Sequence, residues 1–260
     1  VLSPRVQPDH VHMIYDEFDK QDFTVSLNNP YVEGNPRCDL SAFRQGLPGG
    51  ARTLDLGGGM GKFSQFLKSR FPEWSVTHSD FAIKQNPELE ALGIHTRALN
   101  FLEEEVGEAQ YDLITAWEVI EHIPYENLAP VLARIQRALR PGGVFLFSTP
   151  DFDSPVCKAF DFYNCCPPFH YTVFGRKWLE GYLAKQPGWE MLPTRWCSDF
   201  LDDAVMWYDY AANTSPGFQL RGLAEALKGI FQSPAADTVK KELLNKGYGT
   251  EMILTLRKQR

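Results

Sequence analysis

The chain lacks several things at once. None of its apolar runs approaches the roughly 18 residues that cross a bilayer as a helix, so no membrane partner is expected. There is no basic stretch. The 33 acidic residues outnumber the 26 basic ones, for a formal net charge of −7. Binding nucleic acid through its phosphates needs a basic face, so a nucleic-acid partner is not expected. Cysteine is scarce. Cys38, Cys157, Cys165, Cys166 and Cys197 are odd in number and none forms a CxxC pair, which excludes a disulfide framework and points to reduced thiols in a cytoplasmic protein. The start, Val1 to His12, carries Pro4 and Pro8 but no apolar core with a cleavage site, so it does not read as a signal peptide. No internal repeat is visible. What remains is an ordinary globular balance, with 43% hydrophobic and 23% charged residues over 260 positions. The length suits one large domain or two small ones, and the charge a small or neutral partner.

From Ala51 to Thr149 short β-type runs alternate with helical ones. Thr53–Leu56 reads as a strand that ends in glycines, and Lys62–Phe71 as a helix with Phe63, Phe66, Leu67 and Phe71 at helical spacing. Trp74–Ser79, Ile94–Leu99, Tyr111–Trp117 and Val144–Ser148 read as further strands, and Leu128–Leu139 as an amphipathic helix. Parallel neighbours need crossover helices, so the repeated β-α unit predicts an α/β fold. Beyond Pro150 the pattern changes. Phe174–Lys185 reads as a helix, Trp189–Trp196 as a strand, Phe200–Lys246 as mostly helical and Glu251–Leu256 as a last strand.

Between the first strand and its helix lies Asp55-Leu56-Gly57-Gly58-Gly59-Met60-Gly61. Backbone N–H groups and a helix N-terminus can face a ligand there. The phosphate loop GxxxxGK[ST] does not fit, because Leu56 holds its first glycine position and Phe63 follows Lys62. The dinucleotide pattern GxGxxG fails as well, since it requires glycine at Lys62 or at Ser64. What fits is Asp-x-Gly-x-Gly-x-Gly. Taken alone, such a loop is a weak sign, with a tight strand-to-helix turn as its alternative.

With Asp80 at the end of the second strand, the sequence YDLITAWEVIEHI around the fourth and LRPGGVFLFSTP at the fifth, residues 51–150 resemble class I S-adenosylmethionine-dependent methyltransferases. The similarity is to the small-molecule subgroup that includes ubiquinone-biosynthesis-type enzymes. The resemblance implies a doubly wound, mostly parallel seven-stranded sheet with helices on both faces and an antiparallel last strand. It also implies S-adenosylmethionine as cofactor. The segment 1–50 becomes an N-terminal lid, with Tyr15, Phe18, Tyr31 and Asn35 among its residues. Residues 51–150 become the cofactor half, and 151–260 carry insertions after strands five and six. In this reading Gly57, Gly58, Gly59 and Gly61 admit the methionine part, Asp55 orients the loop, and Asp80 takes the ribose diol. Asn100 stands where the family commonly has an aspartate that meets the adenine amino group. Phe81 or Phe101 covers the adenine, and Trp117 lies at the end of strand four.

The acceptor side is less defined by sequence. Glu118, Glu121 and His122 follow strand four, and His122 is a plausible general base. His170, in Pro167-Pro168-Phe169-His170-Tyr171, is a second candidate, with Glu118 a third catalytic group. Each has an alternative as a structural residue that orders a turn or holds the cofactor. Cys165, Cys166, His170 and Cys197 lack metal-site spacing, so no metal is expected. Phe152, Phe160, Phe162, Tyr163, Phe169, Tyr171 and Phe174 form either an acceptor wall or buried filling. The stretch 199–247, with Trp207-Tyr208-Asp209-Tyr210 and an amphipathic Leu220–Phe231, is expected to cap the acceptor or make a homodimer contact. The leading expectation is methyl transfer to oxygen or nitrogen of a small organic acceptor of natural-product, sugar or quinone type. A non-catalytic cofactor-binding scaffold and aminopropyl transfer, for which Asp151 and Asp153 are thin support, are the alternatives.

Overall fold

A computed structural model describes residues 31–81, 86–154, 157–158, 170–199, 229–230 and 233–260. Eight strands form one sheet: β1 Arg52–Leu56, β2 Ser75–Asp80, β3 His95–Ala98, β4 Tyr111–Trp117, β5 Leu139–Pro150, β6 Trp189–Met191, β7 Arg195–Asp199 and β8 Gly249–Lys258. Their order is β3-β2-β1-β4-β5-β8-β6, with β7 also on β8. The first five are mutually parallel, and β8 runs antiparallel to β5. The order reverses between β1 and β4, and ligands of such sheets bind beyond the C-terminal strand ends near that reversal.

The helices are α1 Ser41–Arg44, α2 Lys62–Arg70, α3 Pro87–Ala91, α4 Tyr125–Ala138, α5 Arg176–Leu183 and α6 Pro234–Asn245. Strand period 2 divides the core in two. Phe145 and Phe147 of β5 join Val131, Leu132 and Ile135 of α4 and Leu179 and Leu183 of α5 on one face. Val144 and Leu146 join Phe63 and Leu67 of α2, and Leu40 and Phe43 of the N-terminal segment, on the other. Burial on both faces is why YDLITAW and VFLF read as unbroken apolar runs rather than alternating ones.

The strand predicted over 189–196 is split into β6 and β7, so eight strands replace seven. Pro193 has no N–H to give the ladder, yet the Leu192 N–H still donates to the Thr255 carbonyl at 2.9 Å. Arg140–Gly143 lies within β5, where the pairing with β4 shifts register. Leu139 pairs with Tyr111 and Val144 with Leu113, so two residues of β4 face a much longer stretch of β5. Of the expected lid, Tyr31 and Asn35 belong to the described residues, whereas Tyr15 and Phe18 lie outside them. So do Phe160, Phe162, Tyr163, Cys165, Cys166, Phe169, Trp207–Tyr210 and most of Leu220–Phe231. Within the stretch read as helical, α6 is observed. No helix of the described residues is long and apolar enough to cross a membrane.

Candidate active site

The site builds from the carboxyl ends of β1, β2, β4 and β5. Asp55, near the end of β1, is fully buried. Its Oδ1 accepts from Thr115 Oγ1 of β4 at 2.7 Å and its Oδ2 from Ser64 Oγ of α2 at 2.8 Å. Asp55 therefore joins the strand it ends to the next strand and to the helix after the loop, which supports the orienting role. Burial pushes its carboxyl up to about 6, against the two hydroxyl bonds that pull it down. A raised carboxyl favours folding most when protonated, so its contribution is full below the unfolded value near 3.8 and lost as pH rises through 6. Asp55→Asn is thus expected to gain about 3 kcal/mol relative to the parent between pH 3.5 and 7. Urea unfolding of both proteins at the two pH values checks this.

In the loop, Gly61 sits at φ +73° as the cap of α2, and a Cβ there would stand 2.4 Å from Leu89 Cδ1 of α3. Leu89 is fully buried. Gly61→Ala is expected to cost about 2–4 kcal/mol, combining left-handed strain and overpacking. A lowered midpoint in thermal unfolding checks it. Gly59 differs. Its φ is +51°, but a Cβ would meet nothing within 4 Å. Among the described residues that space is open, as the close approach of a ligand to the loop backbone requires. The Gly59 N–H donates to Asp80 Oδ2 at 2.9 Å. A carboxylate offers about four acceptor sites, so this bond leaves capacity for a diol.

Asn100 follows β3. Its Oδ1 accepts from the Leu102 N–H at 3.2 Å, closing a local turn, and a carbonyl oxygen can accept a second bond. Phe101 packs against the core, whereas Phe81 is 54% exposed right after Asp80. Trp117 is buried, with its ring 5.0 Å from Phe63 and 6.5 Å from Tyr31, and its Nε1 has no hydrogen-bond partner among the described residues.

Past β4 the backbone of Glu118 takes φ +52°. A non-glycine residue in this region is uncommon and costs free energy. Its carboxylate accepts a short bond from Ser148 Oγ of β5 and one from Arg37 Nη2 at 3.5 Å. Arg37 in turn holds Glu251 of β8 through a short charged bond, and Glu251 Oε2 lies 3.5 Å from Cys197 Sγ. Burial, then the Glu251 charge, push Glu118 up to about 7, with Arg37 and Ser148 opposing. The same Arg37 fastens the segment before α1 over the strand ends, aided by Arg195 Nη1 on the Pro36 carbonyl and on Asp39. The described part of the N-terminal cover is thus tied down by charge.

Next comes a single helical turn, Ile120–His122. Glu121 is 1% exposed, and its carbonyl accepts from the N–H groups of Tyr171 (2.8 Å) and Thr172 (3.0 Å). That tie brings His170 to His122, with ring centroids 4.9 Å apart at 78°. The two histidines singled out separately by sequence are therefore neighbours. Sequence reading missed Arg37, Ser148 and Glu251, and weighed Cys197 only as a metal ligand. It also missed His78, buried in β2 beneath Gly58, with Nδ1 3.4 Å from Ser64 Oγ. Its burial disfavours the charged imidazolium. The one usable signal was polar residues inside apolar runs, as at Thr115 and Ser148.

A cavity of about 1280 Å³ lies elsewhere, between residues 33–44, α2, β7 and α6. Neither the glycine loop nor Asp80 lines it, so volume alone does not mark the chemistry here.

A family model described as a methyltransferase domain matches residues 35–194. The chain belongs to this methyltransferase family. It is a class I S-adenosylmethionine-dependent methyltransferase, and the loop cradle at Gly59 with Asp80 beside it fits that cofactor. N-terminal Xaa-Pro-Lys N-methyltransferase 1 of Bos taurus is 32% identical over 136 residues, which are 45% of this chain and 59% of that relative. The match thus spans less than two thirds of the relative's length. A 1,6-didemethyltoxoflavin-N1-methyltransferase of Burkholderia thailandensis, solved with its substrate and S-adenosylhomocysteine, has TM-score 0.57 and 18% identity, covering 100% of this chain and 94% of its own. Coclaurine N-methyltransferase, bound to N-methylheliamine and S-adenosylhomocysteine, has TM-score 0.54 and 17% identity, covering 85% of this chain and 69% of its own. At these identities the solved structures establish the methyltransferase's fold.

Proposed function

We propose that the methyltransferase transfers the methyl group to oxygen or nitrogen of a small organic acceptor, of natural-product, sugar or quinone type. The observation that carries this is adjacency. The candidate proton-transfer groups, Glu118, His122 and His170, come from the strand end next to the cofactor loop, and from the segment tied to it. When bound, the cofactor supplies an electrophilic methyl group on a sulfonium. The protein's tasks are then to hold the acceptor in line, exclude water and take one proton. Asp80, Phe81 and Asn100 would hold the nucleoside end, and Gly57 to Gly61 the methionine end. The Arg37 tie covers the strand ends and supports water exclusion.

Aminopropyl transfer is disfavoured by where Asp151 works. Its Oδ1 accepts from the Asp153 and Arg176 N–H groups at 2.9 and 3.0 Å, and Asp153 pairs with Lys158. Both carboxylates hold a loop rather than a polyamine. A second reading, methylation of a peptide α-amine, draws on the named activity of the Bos taurus relative. The small-molecule neighbours favour the first. The variants Glu118→Gln, His122→Ala and His170→Ala, compared at saturating cofactor, test the proton-transfer part. Turnover is expected to fall about 100-fold or more in at least one of them. Full turnover in all three leaves proximity as the whole mechanism.

A further inference from the structure

His78 is a buried titratable side chain that the methyl-transfer reading leaves unused. It lies in the middle of β2, is 1% exposed, and pairs in register with Asp55 of β1. Strand period 2 puts it on the same face as Asp80. We propose that His78 is a positioning residue for cofactor binding, which supports the Gly58–Gly59 turn of the loop from beneath through its Nδ1 atom. The proposal rests on the loop being the cofactor's cradle.

Contact is the first observation. A Cβ built on Gly58 would stand 2.6 Å from His78 Nδ1, 2.7 Å from its Cε1 and 2.8 Å from Asp55 Oδ2. The loop backbone therefore rests directly on the imidazole edge and on the carboxylate beside it. Gly57, Gly59 and Gly61 have positive φ, whereas Gly58 does not. At Gly58 it is this close approach, and not backbone conformation, that demands glycine. Two further supports come from the next residues of β2. The Ser79 carbonyl accepts from the Gly58 N–H at 3.0 Å, and Asp80 Oδ2 accepts from the Gly59 N–H at 2.9 Å.

The second observation is the asymmetry of the two ring nitrogens. Burial pulls the proton affinity of His78 down, with the Asp80 charge and a hydrogen bond to the Gly59 backbone opposing. The ring is thus neutral at neutral pH, with a single N–H, and its partners decide which nitrogen carries it. Ser64 Oγ donates to Asp55 Oδ2 at 2.8 Å, which leaves an oxygen lone pair for His78 Nδ1, 3.4 Å away. Nε2 is buried without a hydrogen-bond partner among the described residues. The proton therefore belongs on Nδ1, the nitrogen under the loop. An apolar side chain would fill this strand position without stranding Nε2, so filling space does not account for an imidazole here. A donor beneath the loop does. A ligand entering the open space at Gly59 bears on the same turn, and a turn already held in place loses less freedom on binding.

The test is calorimetric titration of the full chain with S-adenosylhomocysteine. It compares the parent with His78→Gln, His78→Asn, Ser64→Ala and Asp80→Ala, and urea unfolding of each controls for folding. The Asn amide nitrogen reaches the place of Nδ1, whereas that of Gln reaches the place of Nε2. Loss of the bond in His78→Gln is expected to weaken binding about 10-fold, with His78→Asn within about 2-fold of the parent. Parental affinity in His78→Gln, or equal losses in His78→Gln and His78→Asn, overturns the proposal. If His78→Gln does not fold, Ser64→Ala decides, because it keeps the ring and removes the hydroxyl that orients it. Weakening of about 5-fold then supports the proposal, and parental affinity overturns it. Asp80→Ala separates this proposal from the reading beneath it. Weak binding by Asp80→Ala beside parental binding by both His78 variants keeps the loop as the cofactor site and overturns the role of His78. Parental binding by Asp80→Ala as well overturns the reading of the loop.

Discussion

Asp80→Ala is expected to weaken binding of S-adenosylhomocysteine by about 100-fold, read by calorimetry. Two effects add. A carboxylate at the end of β2 is placed to accept hydrogen bonds from ribose hydroxyls, and bonds to an ionised acceptor are worth about 1.5–3 kcal/mol each. The same carboxylate also takes the Gly59 N–H at 2.9 Å, so its removal loosens the one loop glycine whose outer side is open. Asp80→Asn keeps an acceptor for Gly59 but loses the charge, and is expected to fall between the parent and the alanine variant. An alanine variant with parental affinity contradicts the assignment of Asp80.

Arg37→Met is expected to destabilise the fold by about 2–4 kcal/mol in urea unfolding at neutral pH. Arg37 and Glu251 are mostly buried, with side chains 17% and 20% exposed, and their bond is short and charged. Removing the cation leaves Glu251 and Glu118 facing each other without compensation, and breaking a buried pair costs more than the pair contributes. The residual exposure sets the figure below that for a fully dry pair. The double variant Arg37→Met/Glu251→Gln removes one stranded charge and is expected to recover most of the loss. If the double variant is as unstable as the single one, the tie acts through packing of the Arg37 stem instead.

These two residues also mark what was readable in the sequence. Asp80 was legible because its signal is local: an acidic side chain at a strand end, after a glycine loop whose spacing excludes two competing chemistries. The strands were legible for a similar reason, since burial on both faces writes apolar runs such as Tyr111–Trp117 directly into the chain. Arg37 was not legible. Its partner Glu251 is 214 positions away, and nothing near either residue encodes the meeting. His122 and His170 stood out by type, but their contact depends on backbone bonds between the turn at Glu121 and the segment at Tyr171, which no side-chain pattern records. Glu118 and Glu121 were visible as acids. Their raised proton affinity comes from burial, which only the packed strand ends create. The splitting of the 189–196 strand has a local cause in Pro193, which the reading of 189–196 as one strand passed over.

The central claim is a methyltransferase whose acceptor is a small molecule. Its most direct test is incubation of the protein with methyl-labelled S-adenosylmethionine and a whole-cell extract, followed by separation into small-molecule, protein and nucleic-acid fractions. The account predicts label in the small-molecule fraction, on oxygen or nitrogen, and loss of that label with Asp80→Ala. Label confined to protein or nucleic acid, or no transfer from cofactor shown to be bound, would contradict it.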